Sequence, residues 1–453
     1  MDLRLTFVKR KAGFTRPFAR VEHLRLSLMW HGTHLAYNYL AHKFSNSLPY
    51  ENIPSPMIPA LRHHFNSAYT PEKHYKFLRL LDDRCGTPVN FRVCETPCFF
   101  PRTLLDQMSQ FGKELIHQLE TTAYRQASAQ AIPPAFNVPN EAAHPTFIQV
   151  DFGLIRDASG KLQPRLVELQ GFPSLYAYQA ALAQTYLDAF ELDSNLKYLL
   201  SGLTKETYKK LLQKAILAGH NPENVILMEI DPWHQKTLPD FTLTERLLGI
   251  PIVDITHIKK EGSRLFYENS GKRVPIRRIY NRAIVDELVR RNLNLAFRFT
   301  DDLDVEWAGH PNWYFRMSKF SLPYLHHESV PKTYFLDRLD SVPHDLNQYV
   351  LKPLFSFAGL GVIMTPSAAD LAAIPAGQRS QYILQQKMNF EPVIETPFGG
   401  TKAEVRIMYI WLDELLPVMT IIRMGRGQMM GVDHNKNMEW VGSSAAFWTD
   451  SSI

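Results

Sequence analysis

Long apolar runs are missing from this sequence. No stretch approaches the roughly 20 apolar residues that a helix needs to cross a bilayer. The first residues, MDLRLTFVKRKAGF, lack the continuous apolar core and the small-residue cleavage site of a signal peptide. Internal repeats and low-complexity segments are also missing. We therefore expect no membrane partner and a cytoplasmic protein.

Cysteine is scarce. The three cysteines, Cys85, Cys94 and Cys98, lie close together in sequence, but no CxxC pair is present. A structural zinc site would require a fourth ligand at motif spacing. We therefore predict reduced, partly buried thiols and no zinc site.

A strong excess of either charge is also absent. Fifty Lys and Arg residues against 45 Asp and Glu residues give a net charge of +5. This mild excess suits an anionic ligand such as a nucleotide, but it is too small to indicate nucleic acid. Basic and aromatic residues never interleave within one run, so we expect no nucleic-acid partner.

The length indicates more than one domain. At 453 residues the chain exceeds what one hydrophobic core usually supports, so two or three domains are expected. Between residues 220 and 300, apolar strands alternate with helical segments, which predicts a small parallel α/β sheet. A Gly-x-Gly-x-x-Gly motif is absent, so this sheet is not expected to bind a dinucleotide in the usual way.

Residues 147–170 predict a β-hairpin. Apolar and polar residues alternate over Phe147–Ile155, the segment DASG supplies turn chemistry, and Arg165–Gln170 resumes as a second strand. A turn centred between Ser159 and Gly160 fixes which residues of the two strands face each other.

This register gathers polar side chains on one face of the hairpin. Asp151 lies opposite Glu168, and Gln149 lies opposite Gln170. Two carboxylates directly across a ladder repel each other unless a cation lies between them. Carboxylate and amide oxygens are ligands that Mg²⁺ accepts. A solvated hairpin face with incidental acids is the alternative interpretation.

A second stretch, with phosphate-binding character, begins near residue 347. A predicted strand, Tyr349–Lys352, is followed by a loop containing Gly359 and Gly361, and then by a predicted strand, Val362–Met364. Small residues let backbone N–H groups approach phosphate closely, and a nearby lysine adds a positive charge. An ordinary glycine-rich hairpin turn is the alternative.

Two long predicted strands, joined at Asp413 and Glu414, carry further charges. Glu404 and Arg406 share a parity and so emerge on the same face of the first strand, and Arg423 ends the second. Acids and arginines gathered on one sheet are costly to pack unless a phosphorylated ligand balances them.

Together these stretches resemble a known enzyme family. The segments VLKPLFSFAGLGV, YILQQKM and AEVRIMYIW resemble the phosphate-binding, adenine-hinge and arginine-bearing strands of ATP-grasp ligases. The segment QVDFG…GKLQPRLVELQGFPS resembles the metal-binding end of that family. Asp151 precedes Lys352 in the chain, whereas ordinary members have the opposite order. This order is similar to that of the circularly permuted ATP-grasp group, which includes glutathionylspermidine synthetase-like proteins.

The resemblance implies an α/β fold of mixed α+β character, an ATP-grasp fold in circularly permuted order. Residues 1–140 would form a mostly helical and loop region, a possible acceptor-site domain. Residues 141–200 would supply the metal-binding strands. Residues 201–310 would form a small pre-ATP-grasp-like α/β domain, and residues 311–453 the nucleotide-binding remainder.

The functional residues of the family can be carried over position by position. The resemblance implies that Mg²⁺ is bound by Asp151, Glu168 and Gln170, and that the phosphates and the nucleotide are contacted by Lys352, Lys387 and Glu404. It implies a lid over the phosphates that contains Gly359 and Gly361, and an adenine hinge formed by Gln385, Gln386, Lys387 and Met388. The transferring phosphoryl group would be contacted by Arg406 and Arg423. Two positions depart from the family. Gln170 stands in place of the usual Asn, and Gln149 stands in place of an arginine.

The implied activity is ATP-dependent ligation of a small-molecule carboxylate to an amine through an acyl phosphate, with ATP and Mg²⁺ required. The alternative is a catalytically inactive nucleotide-binding or scaffold protein with the same fold. The permuted order also requires the hairpin to pair in one sheet with the strands at 404–423. Asp151 and Glu168 would then lie across the phosphate position from Lys352 and Arg406.

Overall fold

Helices and strands interleave along the chain. The computed structural model describes residues 57–356 and 359–450. The helices in that part are α1 (Pro59–Ala68), α2 (Pro71–Cys85), α3 (Arg102–Gln118), α4 (Thr122–Ala129), α5 (Tyr178–Ala189), α6 (Lys205–Leu217), α7 (Leu238–Leu248), α8 (Val285–Arg291), α9 (Asn312–Arg316), α10 (Ala368–Ala372) and α11 (Val432–Asn435). The strands are β1 (Cys98–Phe99), β2 (Phe147–Arg156), β3 (Leu162–Gln170), β4 (Val225–Glu229), β5 (Ile252–Asp254), β6 (Lys259–Glu261), β7 (Arg264–Asn269), β8 (Lys272–Ile276), β9 (Arg278–Asn281), β10 (Glu306–Ala308), β11 (Thr333–Phe335), β12 (Tyr349–Pro353), β13 (Tyr382–Gln386), β14 (Ile394–Thr396), β15 (Gly399–Trp411), β16 (Leu415–Gly425), β17 (Gly442–Ser444) and β18 (Ala446–Phe447).

One sheet joins segments that are far apart in sequence. Its strand order is β17-β16-β15-β2-β3, with β14 also paired to β15. β2 and β15 are antiparallel neighbours, with Asp151 opposite Arg406 and Phe147 opposite Ile410. The prediction that the hairpin pairs in one sheet with the strands at 404–423 is therefore confirmed.

The hairpin of β2 and β3 also has the predicted register at its polar end. Asp151 lies opposite Glu168, and Gln149 lies opposite Gln170. Both β2 residues are completely buried. The polar face is thus an interior face of the protein, so the alternative of a solvated hairpin is wrong.

A β-bulge makes this register possible. Near the turn, Arg156 pairs with Leu162, which centres the turn on Ser159, half a residue before the predicted centre. Beside Asp151 the pairing skips Val167 and so adds one residue to β3. Without the bulge, Val167 would lie opposite Asp151, and every side chain beyond it would change face.

The two faces of the large sheet have different surroundings. On one face, Val150 belongs to an apolar core that includes Met108 of α3. On the other face, Phe147 and Met408 belong to a second apolar core beside α5. Polar side chains replace that second core from Asp151 onward, and they mark where the sheet stops packing on helices and borders a cleft.

The small parallel sheet predicted between residues 220 and 300 is present. Its order is β10-β9-β4-β5, every neighbouring pair is parallel, and β10 extends the sheet to Ala308. The chain passes from β4 to β5 on one side and returns to β9 on the other. Ligands of open parallel sheets bind outside the carboxyl ends of the strands where the strand order reverses in this way.

A three-stranded antiparallel sheet, ordered β11-β13-β12, carries the predicted lysine strand. Its two longer strands pair with Lys352 opposite Ile383. Val362–Met364 does not form the predicted strand, because only Ile363 pairs, through an isolated bridge to Leu351. An apolar triplet is too short to distinguish a strand from a loop that packs inward.

The fold is mixed α/β with several sheets, as the sequence predicts. The described residues belong to one compact unit, and the predicted boundaries at 140, 200 and 310 stay predictions. Residues 1–56 of the first predicted region lie outside the described residues. Over residues 57–356 and 359–450, no helix is both long enough and apolar enough to span a membrane. All three cysteines are free, as predicted, and they are completely buried where the sequence predicted partial burial.

Candidate functional site

A cleft of about 1080 Å³ opens where the three sheets meet. Its walls come from β3, from β15 with β16, from β12 with β13, and from the carboxyl edge of the small parallel sheet. Of the thirteen predicted site residues, all except Asp151 and Gly361 line this cleft. Glu168 and Lys352 share it, which is the arrangement that the ligase hypothesis requires.

Asp151 is held by arginines. Arg406 lies directly across the ladder and donates to both carboxylate oxygens, at 2.5 Å from Nε and 2.6 Å from Nη2. Nη1 of Arg406 donates to Gln149 Oε1 at 2.7 Å. Arg423 adds a third donor to Asp151 at 3.0 Å and also binds Glu404. The expectation that Asp151 lies across a phosphate-sized gap from Arg406 is therefore wrong.

Glu168 faces the cleft among cations. Burial raises the pKa of its carboxyl group, but Lys319, Arg406 and Lys352 outweigh that effect and bring the pKa down to about 2. Its Oε1 accepts from Gln170 Nε2 at 2.5 Å, and Oε2 lies 3.6 Å from Lys319 Nζ. Glu168 is therefore ionised at any physiological pH.

Glu404 is a different kind of carboxyl group. Burial raises its pKa to about 7; Arg423 opposes the shift, while Asp151 and Glu168 add to it. Three carboxyl groups thus lie close together at this part of the sheet, and their mutual repulsion adds to the effect of burial on the pKa of Glu404.

Two lysines approach the cleft from the other side. Lys352 Nζ donates to Gln385 Oε1 at 2.5 Å, and Lys319 Nζ donates to the carbonyl oxygen of Ser356 at 2.7 Å. Burial lowers the pKa of Lys352 to about 8; Glu168 opposes this shift and Lys319 adds to it. Lys352 still carries its charge at neutral pH.

Lys319 was not predicted from the sequence. It follows Ser318, which caps a short helical turn, and it has no glycine-rich loop beside it. The sequence signal for it is weak: Lys319 lies in the segment WYFRMSKFSLPY, where it and Arg316 are the charged residues among mostly apolar neighbours. Because Lys319 is 9 % exposed and borders the cleft, it belongs with Lys352.

The predicted hinge and lid lie at one end of the cleft. Gln385, Gln386, Lys387 and Met388 all line it, and Gln385 Nε2 is buried with no hydrogen-bond partner among the described residues. Gly359 has φ +75°, and a Cβ there would come within 2.5 Å of Met429 Cε. A glycine is therefore required where this loop packs on the 428–434 segment.

The end of the cleft beside the small parallel sheet carries a buried arginine whose hydrogen-bonding capacity is only partly used. Arg282 follows β9 and Glu229 ends β4, so both lie at the point where the strand order of the small sheet reverses. Arg282 is 3 % exposed, and its Nη2 lies 3.9 Å from Oδ2 of the fully buried Asp240. Within the described part of the chain, its Nε and Nη1 have no hydrogen-bond partner. The guanidinium lies 5.5 Å from the ring centre of Phe172 and 5.3 Å from that of Phe241.

Glu229 is an acid beside this arginine. Burial raises its pKa to about 8, although Arg282 opposes the shift. Its Oε1 accepts from the Ile230 backbone N–H at 2.7 Å. The sequence placed no site at this end, because a single Arg and a single Glu at strand ends form no motif.

The donor set fits Mg²⁺ in part. Glu168 and Gln170 border the cleft and offer a carboxylate and an amide oxygen, and Glu404 is close by. Asp151 is fully buried, borders no part of the cleft and has both oxygens occupied by arginines. Among the described residues, no group of three or more His, Cys, Asp or Glu side chains is placed as a metal site. A magnesium ion would be held by Glu168 and Gln170, with phosphate oxygens and water as further ligands.

Comparisons with known proteins bear on the fold. No family model and no curated protein matches the sequence. Among solved structures, the chain is similar to the apo form of a glutathione synthetase-like effector, GSS30, from Globodera pallida. The match has a TM-score of 0.56 and 10% sequence identity, and it covers 84% of this chain and 99% of that one. The protein therefore has the fold of a glutathione synthetase-like protein, in agreement with the ATP-grasp-like architecture predicted from its sequence.

Proposed function

We propose that the protein is an ATP-dependent carbon–nitrogen ligase that joins a carboxylate to an amine through an acyl phosphate. One observation carries this proposal: a single cleft is lined by a cluster of four cations and, beside the small parallel sheet, by a buried arginine with unused N–H donors. Such a cleft suits two anionic ligands at once, a polyphosphate and an acid. The chain order, with the hairpin before the lysine strand, supports a circularly permuted ATP-grasp arrangement.

The phosphate end has the charge that a triphosphate requires. Its cations outnumber its acids, so an anion is attracted even when every carboxyl group is ionised. The four cations are Lys319, Lys352, Arg406 and Arg423, and the three acids are Asp151, Glu168 and Glu404. Mg²⁺ held by Glu168 and Gln170 would supply further positive charge for the phosphates.

The end of the cleft beside the small parallel sheet suits the acid substrate. Arg282 has hydrogen-bond donors at Nε and Nη1 that no described residue uses, and a carboxylate can accept from a guanidinium in a charge-assisted hydrogen bond. The arginine is buried between aromatic rings, so its charge is weakly solvated and an anion there is strongly favoured. A substrate held at Arg282 by one anionic group presents its reacting carboxylate toward the cation cluster.

The reaction then proceeds in two balanced steps. A carboxylate oxygen attacks the γ-phosphorus, the bond to the bridging oxygen breaks, and ADP leaves. The amine next attacks the carbonyl carbon, the carbon–oxygen bond breaks, and phosphate leaves with one proton released. Lys352, Arg406 and Arg423 stabilise the charge on the transferring group, and the Gly359 loop covering the cleft limits hydrolysis.

A second candidate function is nucleotide binding without turnover. The observation in its favour is Asp151, whose oxygens are all engaged by arginines and do not reach the cleft. A ligase that needs this carboxylate for metal would be inactive in such an arrangement. The proposed function instead assigns Asp151 to holding Arg406 and Arg423 in place.

An ADP-release assay distinguishes the two functions. The purified protein with Mg·ATP is screened against amino acids, polyamines and small peptides, singly and in pairs. A ligase releases ADP only when both an acid and an amine are present, and Lys352→Met abolishes the release. ATP binding in calorimetry, with no ADP release from any pair, would support the non-catalytic function.

A further inference from the structure

Three sulfur atoms converge on the face of β16 opposite to the cleft. Met424 follows Arg423 on this strand, so their side chains point to opposite faces of the sheet. Met424 Sδ lies 3.5 Å from Cys94 Sγ and 3.6 Å from Cys98 Sγ, and both thiols donate to it. All three residues are completely buried. The three sulfur atoms thus form a closed cluster of soft ligand atoms.

The backbone fixes both cysteines independently of their sulfur atoms. Cys94 N–H donates to the carbonyl oxygen of Ser443 at 2.8 Å, and Cys98 N–H donates to that of Ala445 at 2.8 Å. Cys98 also pairs with Ala446 in the ladder between β1 and β18. Both thiols are thus directed at Met424 by main-chain pairing, and not only by the filling of an apolar core.

A buried arginine beside the sulfur atoms has no anionic partner. Arg62 on α1 is 2 % exposed, and its Nη1 donates to the carbonyl oxygen of Pro97, between the two cysteines. In the described part of the chain, its Nε and Nη2 have no hydrogen-bond partner and no carboxylate lies within ion-pair distance. The ring centres of Phe65 and Phe99 lie 5.0 and 5.5 Å from the guanidinium carbon, and these cation–π contacts offset only part of the free-energy cost of burying the charge. An uncompensated buried charge is strongly destabilising, so an anion is expected here.

We propose that Cys94, Cys98 and Met424 bind one Cu(I) ion and that Arg62 balances its charge. Two thiolates and one Cu(I) carry a net charge of −1, which Arg62 neutralises. Thiolate and thioether ligands select Cu(I) over harder metals. Zinc would make the sulfur group neutral, leave Arg62 unpaired and require a fourth ligand.

The binding step is balanced without a change of oxidation state. The two thiols each lose a proton to solvent, two metal–thiolate bonds form, and the thioether donates a third electron pair. Metal–sulfur bonds of about 2.3 Å place three trigonal ligands about 4 Å apart. The sulfur atoms of Cys94 and Cys98 therefore need to move only about 0.4 to 0.5 Å further from Met424 Sδ, given their present separations of 3.5 and 3.6 Å. Because the cluster is closed, loading occurs during folding.

The experiment uses the full chain expressed in copper-supplemented cells and purified without oxygen. Copper and zinc per chain are measured by elemental analysis, and the copper ligands by X-ray absorption. We expect one copper per chain with three Cu–S bonds. Competition with a Cu(I) chelator should show affinity lowered at least about 10- to 100-fold by Cys94→Ser and Cys98→Ser, and by a similar factor for Arg62→Met. Cys85→Ser removes the third buried cysteine and is the matched control, with no loss of copper.

Met424→Leu conserves the volume of the side chain and keeps the test decisive if a serine variant fails to fold. This variant should bind copper with two Cu–S bonds instead of three. Three bonds in the variant would overturn the proposal. So would copper retained by the Cys94→Ser/Cys98→Ser double variant, zinc bound in place of copper, or copper far below one per chain, which would indicate an adventitious ion only.

Discussion

Arg406 binds Asp151 through both carboxylate oxygens from the strand position directly opposite. The pair is almost completely buried, with side-chain exposures of 8% and 0%. The carboxylate that the family resemblance assigns to metal therefore already has a partner. This changes what a substitution at Asp151 is expected to do.

Asp151→Asn should destabilise the protein. The substitution removes one charge from a buried group and leaves Arg406 and Arg423 poorly compensated, which costs about 3 kcal/mol. Urea denaturation of the ligand-free protein measures the change. Asp413→Asn, at an exposed turn between β15 and β16, is the matched control and should not shift the midpoint. Unchanged or increased stability of Asp151→Asn would mean that like-charge repulsion with Glu168 dominates.

Lys352→Met should weaken ATP binding by at least tenfold, since a buried cation of the phosphate end is lost. The stability of the ligand-free protein should change little, because the lowered pKa of Lys352 shows that its burial is costly. Calorimetric titration with Mg·ATP and thermal unfolding test the two parts. Lys209→Met, on the exposed side of α6, is the control. A large loss of stability without ligand would show instead that Lys352 holds a structural ion pair.

Glu168 should make stability depend on acid pH. Its pKa is lowered to about 2 in the folded protein from a usual value of 4.5. Its contribution is therefore complete above about pH 4.5 and is lost as the pH falls toward 2. The shift corresponds to about 3 kcal/mol. The stability difference between the parent protein and Glu168→Gln should shrink over this range, and a constant difference would contradict the lowered pKa.

Arg282→Gln should distinguish the role of the acid-binding end of the cleft from that of the phosphate end. ATP binding should be unaffected, while ADP release with an acid and an amine should fall at least about 100-fold, because a charged hydrogen-bond pair with substrate is lost. The ligand-free protein should lose some stability, because the buried Asp240, 3.9 Å from Arg282 Nη2, is left without its cation. Arg290→Gln changes a more exposed arginine at the same cleft and is the control. Equal losses in both variants would rule out a specific anion site at Arg282.

The sequence predicts what is local or strictly periodic. Alternation within β2 and β3 gave Asp151 opposite Glu168, although this success depended on a bulge at Val167 that no pattern indicates. Parity along β15 placed Glu404 and Arg406 on one face, and both line the cleft. The register between β2 and β15 could not be predicted in this way, because Arg406 and Asp151 are 255 residues apart. Local patterns do not contain that pairing, and so the ion pair was not foreseen.

Single charged residues outside any motif were also missed by the sequence analysis. Lys319 and Arg282 belong to no sequence motif, and the role of each depends on the residues that surround it once it is buried. Those surroundings exist only after the fold brings distant segments around the residue. The wrong strand at Val362–Met364 has a related cause, since three apolar residues fit a strand and a packed loop equally well.

The distance along the chain between β2 and β15 also has a consequence during synthesis. A ribosome adding about 5 to 20 residues per second needs about 10 to 50 s to make the residues between these strands. Throughout that interval, the edge of β2 that will pair with β15 is exposed, because β15 has not yet been synthesised. Unpaired apolar edges recruit other chains. Solubility of the growing polypeptide is therefore expected to depend on chaperones until β15 emerges.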